Sequence, residues 1–518
     1  MTTDDVSRGQ LAGLARRCGV ATSYVGWDEL DHEVSSATIV AVLGSLGFAA
    51  GSADEIATAH AALDDEPWRM MLPPVTVSTE GSGSTFVVHV PHWNPVHVWI
   101  TTEDGGDAHP SQVDVWVEPR VVDEILVGRA TFEVPRDLTP GYHTLHALDP
   151  VSEVTARRPL IVTPRRLSTA ARLTGRKRWG LAVQLYSTRS ARSWGVGDFA
   201  DLAQICEVAA SSYGADFVQV NPLHAAQPHA PIEASPYLPV TRRFVNPLYI
   251  RVTDIPELSG LDKSVAKKLR ALGRDFLDDN VNPRKIKRNK SFRAKMSILE
   301  LIHRQPLDEA RAAEYRAFRT REGKGLRRFA TWCALTERYA PDDPRWSEHL
   351  QDKAFVKQQR HRLADRVEFY TWLQWICDQQ LAEAQRAARS AGMDIGIIAD
   401  LAVGVARHGA DVWMLGDVLA RGATVGAPPD GFNQQGQGWD QPPWHPGGWP
   451  RPAMRRTGTC SGRFFGMPGG CASTTSSGCS DCGGFRMAWD RPTAPMSGTT
   501  TMRSSASWRW KPSGPTPW

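Results

Sequence analysis

The spacing of apolar residues changes twice along the first half of the chain. Residues 1–70 place apolar positions three and four apart in LAGLARRC, SATIVAVLGSLGF and ADEIATAHAAL. That period predicts three short helices, the second closed by Gly51. From 71 to 164 the period drops to two. VTVSTE, TFVVHV, VHVWITTE, VDVWVE and YHTLHAL alternate apolar and polar residues between Gly, Pro and Asp turns, which predicts a small all-β sandwich of antiparallel strands. A sandwich of this kind serves as a scaffold or as a glycan-binding accessory module. Fold alone does not select between them, and the scaffold is the expectation.

From Arg165 the grammar changes again. WGLAVQLY (179–186) reads as a short buried strand, DFADLAQICEVAASSYG as a helix capped by Asp198, and ADFVQVNPLH (215–224) as a second strand. Strand, helix and strand with a long crossover form a βαβ unit and imply a parallel sheet. Residues 256–390 are mostly helical. In FYTWLQWICDQQLAEAQRAARSAG, Phe369, Trp372, Leu373, Ile376 and Cys377 share one face, and the helix ends at Gly392. MDIGIIADLAVGV supplies a third strand, Ile395 to Ala399, with Asp400 at its C-terminal end. The basic run VNPRKIKRNKSFRAK has no interleaved aromatic residues for base stacking, so it reads as a solvated helical face and not a nucleic-acid site.

Charge alters this picture only at the C-terminal end. The chain of 518 residues has a formal charge of +4. Residues 447–518 account for +7, leaving the first 446 residues at −3, so the main body is not a polyanion binder. No run approaches the roughly 20 apolar residues of a membrane helix. The N-terminus lacks the apolar core of a signal peptide, and Cys18, Cys206, Cys333 and Cys377 are widely scattered. These features point to a cytoplasmic protein with reduced thiols and no membrane partner. The segment 447–518 has no Ile, Leu, Val, Tyr, His, Asn, Gln or Glu, yet holds five Trp and four Cys. It cannot build an aliphatic core.

Three stretches resemble the amylomaltases, the 4-α-glucanotransferases of glycoside hydrolase family 77. They are WGLAVQLYSTRSARSWGVGDFADL with ADFVQVNPLHA; PIEASPYLPVTRRFVNPLYI; and IIADLAVGVARHGADVW with GAPPDGFNQQGQGWDQPPW. The resemblance implies an α/β chain whose residues 165–446 are the first part of a (β/α)8 TIM barrel with a helical insertion at 256–390. The barrel is incomplete here, and 447–518 is a non-native tail. It implies transfer of α-1,4-glucan segments between maltodextrins, with no cofactor. By the same resemblance Asp400 contacts the sugar at the cleavage point, Ser235 and Tyr237 of SPY are sugar contacts, and Trp439 stacks on glucan from a loop over the acceptor sites. Gly431 stands where some relatives have an aromatic residue, and Asp440 replaces a usual Gly.

Retaining transfer needs a carboxylate nucleophile and a carboxylic acid/base about 5–5.5 Å apart. In the resembling family these lie in VRIDH and GEDLG, with a further Asp in HDN, all downstream of the acceptor loop. None of the three motifs occurs here, so no catalytic residue is assigned. The tail does contain a C-x-x-C, Cys479 and Cys482, below Cys460 and Cys471. A zinc or redox site is one reading of it, but the tail offers no His.

A displaced reading frame accounts for it better. If each original codon began at the third base of a present one, with Ser as TCN and Arg as CGN, Cys471 to Thr475 are compatible with V-R-I-D-H. Ser476 to Arg486 are then compatible with I-I-G-L-F-R-L-W-W-I-P, so all sixteen positions pass. The expectation is a frameshifted glucanotransferase, catalytically incompetent and aggregation-prone. A non-catalytic maltodextrin-binding remnant using Tyr237, Asp400 and Trp439 is the alternative.

Overall fold

The computed structural model describes residues 7–166, 175–340, 343–420, 422–445 and 471–472. Helices α1 (Arg8–Arg17), α2 (Ser36–Ser45) and α3 (Ala53–Asp65) follow the predicted period, with a short ladder of β1 (Ser23–Val25) and β2 (Asp31–Glu33) between the first two. Each helix starts at a serine, Ser7, Ser35 or Ser52, whose side chain accepts a backbone N–H three residues on. Leu11, Leu14, Ile39, Leu43 and Ile56 form their shared core. The second helix stops at Ser45, short of Gly51, and Gly47 just beyond it takes a left-handed φ of 88°.

Two sheets follow. One runs β3 (Thr76–Thr79), β11 (Val154–Thr163), β10 (Gly141–Asp149), β5 (His97–Thr101) and β6 (Asp107–Ala108). In the other, β4 (Thr85–Pro91) pairs with β9 (Ile125–Glu133), whose far edge carries β7 (Ser111–Val113) and β8 (Arg120–Val122). Phe86, Val88, Ile100, Phe132, Leu145 and Leu160 fill the space between them. Not every pairing is antiparallel, since β3 joins β11 in parallel. VDVWVE is also not a strand beyond Val113. Strands β9 and β11 lie outside the alternating pattern because ILVGRATFE and VTARRPLIVT open on exposed residues before burying Val127, Phe132, Leu160 and Val162.

The third unit is built on a parallel sheet ordered β12 (Gly180–Val183), β13 (Phe217–Val220), β14 (Gly396–Asp400) and β17 (Cys471–Ala472). The helix α4 (Phe199–Tyr213) crosses from β12 to β13. It opens on a reciprocal cap in which Asp198 accepts from Asp201 N and Asp201 accepts from Asp198 N. Between β13 and β14 lie α5 (Lys263–Arg274), α6 (Leu277–Val281), α7 (Arg288–His303), α8 (Glu309–Thr336), α9 (Arg345–Glu348), α10 (Lys353–Arg362) and α11 (Ala364–Ser390). In α11 the residues named from the period are buried, but so are Tyr370, Thr371, Gln374 and Trp375, so this stretch is enclosed on every side and not on one face, and Gly392 follows with φ 105°.

Three expectations need correction. Strand β12 is not buried: Trp179 is 46% and Leu181 36% exposed, because β12 is the open edge of its sheet and nothing pairs beyond it among the described residues. The segment after 446, expected only as a non-native tail, contributes a short strand to the parallel sheet, since Cys471 pairs with Ala399 and Ala472 with Asp400; the free backbone edge of β14 accepts any extended segment, whatever its side chains. The basic run is only partly solvated. Lys287 and Lys290 pair with Asp279, but Lys295 is buried, donating to the carbonyls of Leu248 and Ile250 with Asp198 at 3.8 Å. The zinc and out-of-frame readings of Cys460, Cys479 and Cys482 lie outside the described residues.

Candidate functional site

Parallel strands aim their C-terminal ends at one face, and two of these ends supply the center of the site. Strand β14 delivers Asp400, which is 1% exposed. Its Oδ1 accepts the Leu401 N–H at 2.9 Å and its Oδ2 accepts the Tyr237 hydroxyl at 2.9 Å. The chain beyond β13 delivers His224, whose Nε2 accepts the Ala402 N–H at 3.3 Å. Burial and then the nearby Arg242 charge push the His224 pKa down to about 3, so the imidazole is neutral and holds the start of the post-β14 loop.

Tyr237 is set by nested turns. Ser235 N–H donates to Glu233 Oε1 at 3.0 Å, and Tyr237 N–H donates to Ser235 Oγ at 3.2 Å. The SPY loop is then stitched to the loop after β14: Ala406 N–H donates to Pro239 O at 2.8 Å and Asp411 N–H to Val240 O at 3.1 Å. Arg242 adds side-chain bonds to the Ala402 and Val403 carbonyls, and its own N–H donates to Asp411 Oδ2 at 3.0 Å. Burial raises the Asp411 pKa. Asp411 lies in the first turn of α12 (Ala410–Leu415).

The acceptor-loop segment is a hairpin of β15 (Val425–Ala427) and β16 (Gln437–Gln441), with a register shift between Val425 and Gly426. Gln441 Nε2 donates to Tyr237 O at 2.9 Å, tying the hairpin to the SPY loop. Trp439 sits half-buried on β16, its indole N–H donating to Gln437 Oε1 at 3.3 Å. Asp440 takes a left-handed φ of 54°, and its Oδ1 accepts Arg407 Nε at 2.9 Å.

Of the four residues named from sequence, the structure joins Tyr237 and Asp400 directly. Ser235 Oγ is occupied in shaping its own loop, and Trp439 approaches on the hairpin. His224, Arg242 and Gln441 were not read from sequence. His224 had a legible signal, the strand-end position that marked Asp400; Arg242 and Gln441 had none, because their partners are distant in the chain. A small recess of about 20 Å3, room for little more than one water, lies behind the SPY loop, lined by Tyr186, His224, Ser235, Tyr249 and Arg288 among others. Among the described residues no cluster of three or more His, Cys, Asp or Glu could hold a metal ion.

Comparison with known proteins places this geometry. A family described as 4-alpha-glucanotransferase, glycoside hydrolase family 77, matches residues 183–451, and the MalQ N-terminal beta sandwich domain matches 71–164. The chain is 47% identical over 446 residues to the 4-alpha-glucanotransferase of Mycobacterium tuberculosis (strain ATCC 25618 / H37Rv), covering 84% of this chain and 61% of that protein. It is 30% identical over 351 residues to the Haemophilus influenzae 4-alpha-glucanotransferase, covering 63% of this chain and 48% of that one. The crystal structure of amylomaltase from Corynebacterium glutamicum superposes with a TM-score of 0.82 at 41% identity, covering 90% of this chain and 65% of that one. The chain thus spans about three fifths of the length of the mycobacterial relative. With more than half of its residues matched by the family, the chain belongs to the 4-alpha-glucanotransferases of glycoside hydrolase family 77.

Proposed function

We propose that the chain is built as a 4-α-glucanotransferase, which moves α-1,4-glucan segments between maltodextrins by a retaining double displacement, and that this polypeptide holds glucan without transferring it. The observation that carries the reading is the Tyr237–Asp400 hydrogen bond at the C-terminal end of β14. It sets a flat aromatic face and a buried carboxylate side by side where a pyranose would sit. Asp400 accepts sugar hydroxyls, the Tyr237 ring packs on the apolar face of a pyranose, Ser235 fixes the loop that carries Tyr237, and Trp439 stacks on the acceptor segment.

In the double displacement, a nucleophilic carboxylate attacks the anomeric carbon while an acid protonates the departing glycosidic oxygen. An acceptor hydroxyl then displaces the carboxylate and returns its proton to the same base. Neither carboxylate is supplied, because VRIDH, GEDLG and HDN are absent. The family match runs to residue 451, close to the change of composition at 447, which supports an out-of-frame tail.

The domain division follows: a helical region at 1–70, a sandwich at 71–164, the first part of a TIM barrel at 165–446 with its insertion at 256–390, and the tail. Among the described residues no helix is long and apolar enough to cross a membrane, and Cys18, Cys206, Cys333 and Cys377 are free thiols. Both support a cytoplasmic setting.

The test has two parts. The purified chain should release no glucose from maltotriose but bind maltoheptaose saturably; glucose release would sink the inactive reading. Inserting one base across the codons for His445 to Trp449 should restore transfer. A frame-restored protein with no transfer activity would remove the enzyme class itself.

A further inference from the structure

Charge divides unevenly between the units of the chain. Residues 1–164 carry a formal charge of −14, and residues 165–446 carry +11. Each sign has a focus. Residues 18–68 hold nine Asp or Glu and no Lys or Arg, whereas residues 263–293 hold eleven Lys or Arg against three Asp.

The acidic focus presents an apolar tip. Strands β1 and β2 form a two-stranded ribbon of their own, and its turn is closed by Gly26 N–H donating to Leu30 O at 2.8 Å. Val25, Trp27 and Leu30 are more than half exposed on it. Arg8 pairs with Glu33 and His32 with Asp28, but among the described residues no ion pair reaches the exposed Glu29 and Asp31.

The basic focus has the same design with the opposite sign. No side chain of α5 is buried, and its Lys267, Lys268, Arg270 and Arg274 are exposed, as are Arg284 and Lys285 before α7. Lys290 donates to Asp275 O at 2.8 Å and, with Lys287, pairs with Asp279. Those bonds join α5, α6 and the start of α7 into one surface. At its center α6 turns out Leu277 and Val281, four residues apart and at least half exposed.

An apolar center ringed by charge is the anatomy of a docking surface, the center supplying contact and the rim steering and register. Both foci stay exposed within one chain, so neither covers the other there. We propose that the β1–β2 ribbon of one copy docks on the α5–α7 surface of a second copy of this chain. Trp27 and Leu30 meet Leu277 and Val281, and Glu29 and Asp31 face the lysines of α5. Each copy carries both elements, so a two-fold arrangement makes the contact twice, and any other rotation extends it into a chain of copies. The contact weakens with salt, because the screening length falls from about 10 Å at 0.1 M to about 3 Å at 1 M.

The test mixes unlabeled and heavy-nitrogen full-length chains and treats them with a zero-length carbodiimide, which joins a carboxylate to an amine in contact with it. Mass spectrometry should find ribbon peptides joined to peptides of 263–293 in pairs of mixed label, with a yield at least fivefold lower in about 1 M salt than in about 0.1 M. The E29K/D31K chain should lose these pairs. Adding K267E/K268E to that chain should restore them with carboxylate and amine exchanged between the two elements. All four positions are exposed, so the fold is kept. Absence of the pairs at low salt, pairs of one label only, a yield indifferent to salt, or no restoration in the fourfold variant would each overturn the docking. A ribbon joined only to other surfaces of the second copy would overturn it as well and leave the basic surface to a different anionic partner.

Discussion

At the residue scale, the chemistry of the site depends on which groups are charged. Tyr237 donates to a buried carboxylate, and bonds to charged partners contribute more than neutral ones, about 1.5–3 kcal/mol. Tyr237→Phe should therefore lower stability by about 1.5–3 kcal/mol in urea melts and, through the loss of a fixed ring and carboxylate pair, weaken maltotriose binding as read by titration. His224 sets a pH dependence. Its folded pKa is depressed to about 3 from 6.5 by burial and Arg242. The unfolded chain thus takes up a proton below pH 6.5 that the native ring refuses. Stability from this group is complete above 6.5 and falls by up to about 1.4 kcal/mol per pH unit down to about pH 3. Urea melts from pH 7 to pH 4 should show that slope, and His224→Gln should flatten it.

At the element scale, the crossover from β12 to β13 is held by a buried charge cluster. Arg251 donates to Asp198 at 2.5 Å and to Asp201 at 2.7 Å, Ser190 and Ser193 donate to Asp201 at 2.6 Å, and Lys295 closes the group from α7. Removing one partner leaves the others buried and uncompensated, so Lys295→Ala should cost about 3–5 kcal/mol in urea melts. The hairpin presents the opposite case. Asp440 pays about 1–2 kcal/mol for its left-handed backbone, and its exposed ion pair with Arg407 returns up to about 1 kcal/mol. Asp440→Gly should hold stability within about 1 kcal/mol yet speed proteolysis within 425–441, because the tether to Arg407 in the loop after β14 is lost. The helices were legible where a single apolar stripe faced one core, as in α4, where Phe199, Leu202, Cys206 and Ala209 are buried. Strands β9 and β11 were not, because their exposed opening residues hide the alternation.

At the scale of the whole molecule, the described residues of the third unit form a parallel sheet of four strands. Among the described residues no strand pairs on the outer side of β12, where Leu181 and the preceding Trp179 are exposed, and β17 contributes two residues on the other side. An exposed apolar edge recruits further strands. Size-exclusion chromatography with light scattering should find the full chain in assemblies larger than a monomer, and a frame-restored chain should run as a smaller, discrete species. A monodisperse monomer of the present sequence would contradict this.

The sequence by itself determined the three units, the family, the strand-end carboxylate Asp400 and the missing catalytic motifs. Each is written locally, as a period, a short motif or its absence. Only the tertiary structure decided that Tyr237 meets Asp400 across 163 intervening steps of chain, that Lys295 is buried within an otherwise solvated basic run, and that β12 is an exposed edge. Those outcomes depend on which segments the fold brings together, and hydrogen bonding and burial are set by neighbors in space that no local pattern records.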